Sequence, residues 1–243
     1  MTVSDHEIDL LADQLLGLTG AAIASLIREA RTNARKAGRD LRPEDLQAAA
    51  DRVQPQLGDA LMRRIAVHEA AHVVAGHAIG LPAATLARIS PRGGEVVRPH
   101  LNAMTARDIR GMIAAVLAGR EAEGILFGDV TSGAGTGSAS DLAQATSLSI
   151  RAECAWGFGP SLCWISPDTS ITLLPNAVRN RVEARLRAGQ EEARKIIVQH
   201  RSVVELVADA LLKHRELDGA ALAGLLAGVE VDTKTPPAGE HAE

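Results

Sequence analysis

His68-Glu69-Ala70-Ala71-His72 combines the residue types and the spacing that metal-assisted hydrolysis needs. On a helix, residues four apart share one face, one turn above the other, so both imidazoles can reach a single metal ion. Glu69 projects from the same turn toward an open coordination position, where its carboxylate can take a proton from an activated water. Catalytic zinc takes three protein ligands and keeps one position for water, so the two histidines need a partner.

That partner is not read off the motif. The continuation H-x-x-G-x-x-H fails, because Ala75 and Ala78 occupy its places. His77 lies about 140° further round the helix than His72 and reads as an ordinary, partly buried histidine. The remaining candidates are His100, Glu121, Glu123 and Asp141. Asp141 follows the run Gly133-Ala134-Gly135-Thr136-Gly137-Ser138-Ala139-Ser140 and opens an apolar-periodic helix. Its plain alternative is a first-turn acid favoured by the helix dipole. Glu121 and Glu123, taken alone, read as solvated or salt-bridged. Spacing leaves the choice open.

The elements that must position these residues are mostly helical. Residues 7–17, 20–37 and 43–53 read as three short helices behind a loose tail of about six residues, with Thr19-Gly20 opening the second and Pro43 at the first turn of the third. Gln54-Pro55-Gln56-Leu57-Gly58 reads as a linker. Asp59 is a reasonable N-cap for a helix over 60–79 that carries the motif and stops at Gly80-Leu81-Pro82. Alternation across 84–98, around Pro91-Arg92-Gly93-Gly94, predicts a small hairpin or edge strand. Thr105-x-x-Asp108 resembles a capping box opening a helix to about Leu126. A Gly/Ser/Thr-rich loop over 131–140 leads to a helix from about Ser140 to Ala155. An irregular segment over 156–175 precedes a charged amphipathic helix over 176–200. Shorter helices follow near 202–213 and 218–228, the last capped by Asp218, and the tail from Val231 reads as disordered. No internal repeat is present.

Composition agrees with a mainly α chain. Of 243 residues, 46% are apolar but only 2% aromatic, with no Tyr, so the core must be closely packed Ala, Leu, Ile and Val. Net charge is −4 with scattered basic residues, which argues against a nucleic-acid partner. Cys154 and Cys163 form no C-x-x-C pair and read as small hydrophobes, pointing to a reducing compartment. No signal peptide and no apolar run of roughly 18 residues occurs, so no membrane span is expected within the chain. No G-x-x-x-x-G-K-[ST] occurs, and Gly133–Ser140 lacks the lysine that would make it a phosphate loop.

Read together, these residues resemble the proteolytic region of the FtsH-type ATP-dependent zinc metalloproteases. The likeness runs from the histidine motif through Ile89-Ser90-Pro91-Arg92-Gly93 and Leu117-Ala118-Gly119-Arg120-Glu121-Ala122-Glu123. It continues through Leu126-Phe127-Gly128, Thr131-Ser132-Gly133-Ala134, Asp141-Leu142, Ala145-Thr146, Glu191-Glu192-Ala193, Leu211-Leu212 and Leu217, so it covers roughly residues 59–228. Upstream, Leu18-Thr19-Gly20-Ala21, Glu29-Ala30, Asp45-Leu46 and Asp51-Arg52-Val53 resemble the small helical lid of an AAA ATPase module.

The resemblance implies a helical, zincin-like peptidase domain with a small β-hairpin over 58–230, preceded by an all-helical AAA lid and linker over 1–57 and followed by a disordered tail over 231–243. It implies zinc held by His68, His72 and Asp141, with Glu69 as the base. It further implies protein or peptide substrates, a homo-hexamer, and ATP use only through an upstream AAA ATPase core absent from this chain. The parent protein would work at the cytoplasmic face, anchored in the bacterial inner membrane by upstream segments. Departures from the pattern are Ala71 and Gly124, where the family usually has glycine and an acid respectively, and extra Gly/Ser/Thr residues before Asp141. Two other readings stand beside this one: a catalytically silent, hexamer-forming domain, and a stand-alone zinc peptidase for short peptides.

Overall fold

The computed structural model describes residues 8, 11–12, 14–15, 17–54, 57–101 and 103–231. Of the expected helix over 7–17, residues 7, 9, 10, 13 and 16 lie outside these residues, as do the first six residues and the tail beyond Val231, while Ile8, Leu11, Ala12 and Gln14 are helical.

Two short helices follow, α1 (Gly20–Lys36) and α2 (Pro43–Val53). Thr19 caps α1, its hydroxyl accepting the Ala22 N–H at 3.2 Å. Asp45 accepts the Arg42 N–H at 2.9 Å, tying down the start of α2 where the helix dipole favours a carboxylate. Leu26, Ala30, Ala49 and Ala50, with Leu15, bury one another in a small apolar cluster of their own.

The main core is organised by α3 (Asp59–Ile79), which is buried on nearly every side. Val67, Val73 and Val74 are fully buried, each contributing roughly 1.5–3 kcal/mol of apolar burial. The alanines between them let neighbouring helices approach closely. Ala71 is itself fully buried in this core. The helix starts one residue earlier than the sequence indicates, with Gly58 rather than Asp59 at the N-cap. It ends where Gly80 adopts a left-handed conformation at φ +83°, and Pro82 prevents continuation.

Strand β1 (Leu86–Ser90) pairs antiparallel with β2 (Gly93–Val97), the hairpin that the alternation predicts. On its other side it pairs antiparallel with β3 (Glu216–Asp218), giving the order β2-β1-β3. Ala87 and Ile89 of the central strand point into the core. β3 has no counterpart in the sequence reading: three residues are too short to show a period. Its last residue, Asp218, accepts the Ala221 N–H at 2.8 Å and so caps the next helix, as expected.

Helix α4 (Ala106–Phe127) lies against α3, and its capping box forms, with Thr105 N–H donating to Asp108 at 2.6 Å and Asp108 N–H to the Thr105 hydroxyl at 3.2 Å. After a short 3₁₀ turn (Gly133–Gly135) comes α5 (Asp141–Cys154), packed on α4 and capped by Ser140. Helix α6 (Asn176–Gln199) buries Val182, Gly189, Ala193, Ile196 and Ile197 and packs mainly on α4, so its apolar stripe serves the core of this chain. Helices α7 (Arg201–His214) and α8 (Gly219–Leu226) close the fold, α7 against α3. The molecule is mainly α with one small antiparallel sheet.

Two arginines tie elements together. Arg98, just past β2, donates to the carbonyls of Pro82 at 2.8 Å, His72 at 2.9 Å and Val73 at 3.0 Å. Burial pushes its guanidinium down to about 10, and the carbonyls give it polar company. Arg185 of α6 donates to Glu153 of α5 at 2.7 Å and to the Phe158 carbonyl at 2.7 Å, and Arg181 donates to the same carboxylate at 2.6 Å.

Candidate metal and catalytic centre

α3 presents the two motif histidines on one face, their ring centroids 4.8 Å apart. Asp141 is the first residue of α5, and the packing of α5 on α4 and of α4 on α3 carries it to them. Its Oδ2 lies 2.8 Å from His68 Nε2 and 3.6 Å from His72 Nε2. One ligand atom from each of His68, His72 and Asp141 falls within 4.8 Å of the others, and among the described residues no other group of three His, Cys, Asp or Glu converges in this way.

The far sides of both rings are also held. His68 Nδ1–H donates to Glu123 Oε1 at 2.8 Å, and His72 Nδ1–H donates to the Ala115 carbonyl at 2.8 Å. Both acceptors belong to α4. A carbonyl can only accept, so the proton of neutral His72 sits on Nδ1 and its Nε2 lone pair faces Asp141. A carboxylate behind His68 has the same effect, orienting the ring and raising its basicity. Two imidazole nitrogens and one carboxylate form the donor set of a three-ligand catalytic zinc site, and the residues present fit that ion.

The electrostatics follow from this crowding. Burial opposes a charged His68, but hydrogen bonds to Asp141 and Glu123 outweigh it and push the ring up to about 10. Burial would raise Asp141, yet the two imidazoles hold its carboxyl well below the usual range. Glu123 is likewise lowered against its burial, by His68 and then by Thr131, whose N–H donates to it at 2.7 Å. Glu69 is 7% exposed, and burial pushes its carboxyl up while the two histidines pull the other way. Its side chain lies directly against β2 at Gly94.

These residues open on a cleft of about 510 Å³, walled by Leu61 and Ile65 of α3, Gly93 and Gly94 of β2, and Thr131 and Ser140 of the loop before α5. A larger cavity, about 660 Å³, lies between Ile79, Arg110 and Glu192 and includes none of the motif residues. We place the chemistry in the smaller cleft because the converging donors are there.

The other candidate ligands lie elsewhere. Glu121 faces α6, accepting from Gln190 at 2.7 Å with Arg194 at 3.8 Å. His100 is exposed and His77 half-buried, and neither joins the cluster. Glu123 corrects the sequence reading: it is 2% exposed and backs His68 instead of meeting solvent or a simple salt bridge. Its signal was an acid set among Ala and Gly in a helix too apolar to be exposed. The Ala115 carbonyl, a backbone group, left no signal at all.

The sequence profile of peptidase family M41 matches residues 57–225. The chain is 31% identical to the ATP-dependent zinc metalloprotease FtsH of Thermus thermophilus, over 94% of this chain and 40% of that protein. It is 30% identical to the protein of that name from Acidothermus cellulolyticus, over 98% of this chain and 39% of the relative. For the Pseudothermotoga lettingae protein the identity is 32%, over 91% of this chain and 40% of the relative. The chain therefore spans about two fifths of the length of these curated relatives.

Proposed function

The chain belongs to peptidase family M41, and from that membership we propose that it is a zinc-dependent endopeptidase that hydrolyses peptide bonds of protein substrates. The observation that carries the reading is the convergence of His68 Nε2, His72 Nε2 and Asp141 Oδ2, with both Nδ1 atoms tied from behind.

His68, His72 and Asp141 would hold the zinc. When bound, zinc lowers the pKa of a water toward about 7 and polarises the scissile carbonyl. Glu69 takes the proton of the attacking water and delivers it to the leaving amine. Its burial suits both halves of that task, because a carboxyl raised by desolvation holds a proton more readily than an exposed one. Glu123 and the Ala115 carbonyl keep the imidazoles in the tautomer and orientation that ligation needs. β2 has a strand on one side only among the described residues, and it borders the cleft. Its free edge would hold an extended peptide by main-chain hydrogen bonds, which gives little sequence preference.

Residues 58–230 form the peptidase and residues 1–57 a lid of the AAA type in this reading; the separate apolar cluster of α1 and α2 supports that division. The relatives are named ATP-dependent. No phosphate-binding loop occurs in these 243 residues, so coupling to ATP would come from an AAA core outside them. We place the working assembly as a homo-hexamer at the cytoplasmic face of a membrane, anchored by segments outside these residues. No helix among the described residues is long and apolar enough to cross a membrane.

Zinc content and cleavage of casein and of short fluorogenic peptides, in wild type and Glu69→Gln, test the reading. Stoichiometric zinc in both, with cleavage in wild type alone, is the expected result. Absence of stoichiometric zinc, or equal cleavage by the two, overturns it. Turnover of short peptides but not casein favours the alternative, a stand-alone zinc peptidase for short peptides.

A further inference from the structure

Two glycines touch the site without contributing a functional group. Neither has the positive φ that favours glycine, so backbone conformation does not explain them. Gly119 lies inside α4, where alanine is the better helix former. A Cβ built there would stand 2.5 Å from His68 Nε2, 2.6 Å from Cδ2 and 2.6 Å from Cε1. Three nearly equal distances place it over the face of the ring, at its ligating corner. A Cβ on Gly94 would stand 2.3 Å from Glu69 Cγ, 2.7 Å from its Cδ and 2.8 Å from the Arg88 carbonyl oxygen.

The His68 ring cannot step aside freely. It is held by Glu123 at one nitrogen and faces Asp141 with the other, so a shift breaks both contacts. β2 cannot recede either, because Gly94 is in register with Ile89 of β1 and β1 is itself held by β3. Ordinary contact begins near 3.4 Å, so any side chain at these positions must displace its neighbour by about an ångström, a misplacement that can cost roughly 100-fold in rate.

We infer that Gly119 and Gly94 are positioning residues, Gly119 seating the imidazole of His68 for metal and Gly94 seating the carboxylate of Glu69 for proton transfer. The metal side and the base side of the centre are then separately adjustable. The inference rests on the peptidase reading for the meaning of the two seats, but the seats themselves can be tested without it.

The experiment uses Gly119→Ala, Gly94→Ala and, as a matched control on α4, Gly124→Ala, whose Cβ would meet only Val130 at an ordinary 3.6 Å. Zinc affinity is read by competition with a chromophoric chelator, and turnover on a fluorogenic peptide. Gly119→Ala should weaken zinc binding about 10–100-fold. Gly94→Ala should leave zinc affinity as in wild type and lower kcat by roughly 100-fold with little change in KM. Gly124→Ala should match wild type in both.

Crossed double-mutant cycles of thermal stability, on metal-free protein, decide the seats independently. His68→Ala removes the ring that crowds the methyl introduced by Gly119→Ala, and Glu69→Ala removes the side-chain atoms that crowd the methyl introduced by Gly94→Ala. Each matched pair should recover part of the melting temperature that the glycine variant alone loses, and the crossed pairs should simply add. Additive matched pairs, or equal loss of zinc affinity in both glycine variants, overturn the inference. Wild type without zinc or turnover, but with coupled matched pairs, would instead sink the peptidase reading and leave the two seats standing.

Discussion

Glu123 stands directly behind His68: the ring gives its Nδ1–H to Oε1 at 2.8 Å while its Nε2 faces Asp141 Oδ2 at 2.8 Å. One imidazole is thus held between two carboxylates from different helices. Outer partners of this kind typically govern metal affinity by about 10–100-fold. Glu123→Ala should therefore raise the zinc dissociation constant by about that factor, as read by chelator competition. It should also cost roughly 1–3 kcal/mol in metal-free stability, because the Thr131 N–H loses its acceptor.

Zinc itself should stabilise the fold. A ligand that binds only the native state at a free concentration of 1,000 times Kd adds about 4.1 kcal/mol. Chelation should lower the melting temperature of wild type, and added zinc should restore it. Asp141→Ala, deprived of the only carboxylate in the cluster, should show a much smaller zinc-dependent shift in the same melting experiment.

Acid should weaken the link between α5 and α6. Burial alone would raise Glu153, but Arg181 and Arg185 hold its carboxyl below the ordinary value of 4.5. A group lowered in the folded state contributes fully above its unfolded pKa, and the contribution fades as pH falls through the folded value. At pH 7, Glu153→Ala should cost about 3 kcal/mol, mostly by stranding the better-buried Arg185. Urea unfolding at stepwise lower pH should show the two proteins converging once the pH drops below about 4.5, the unfolded value.

Arg98 anchors the end of β2 through three carbonyls, two on α3 (His72 and Val73) and one, Pro82, just past its end. Hydrogen bonds from a charged donor contribute about 1.5–3 kcal/mol, so Arg98→Ala should destabilise by roughly 2 kcal/mol. Because the His72 carbonyl is one of these three and Glu69 of the same helix lies against β2 at Gly94, peptide turnover should fall more than unfolding alone explains. Chemical denaturation and turnover at a temperature where the variant stays folded separate the two effects.

Much of this was legible from local pattern. Thr19, Thr105 and Asp218 announce helix starts because a cap is chemistry between residues three apart. Gly80 and Pro82 announce the end of α3 for the same local reason. The hairpin β1–β2 shows in its alternation and its Pro91-Arg92-Gly93 turn. β3 does not show, since its strand exists only because β1 offers an edge to pair with. Glu121 and Glu123 are indistinguishable as letters two places apart on one helix, yet one turns to α6 and the other to His68.

The spacing of His68, Glu69 and His72 determined by itself that two imidazoles and a carboxylate would share one turn of helix, because helical geometry depends only on neighbours. That Asp141, 73 residues beyond His68, completes the cluster was decided by tertiary packing alone. So were the support from Glu123 and the Ala115 carbonyl, and the room left by Gly94 and Gly119. Each depends on how closely α3, α4, α5 and β2 approach one another, and that distance is set by side chains meeting across the core, which no local period encodes.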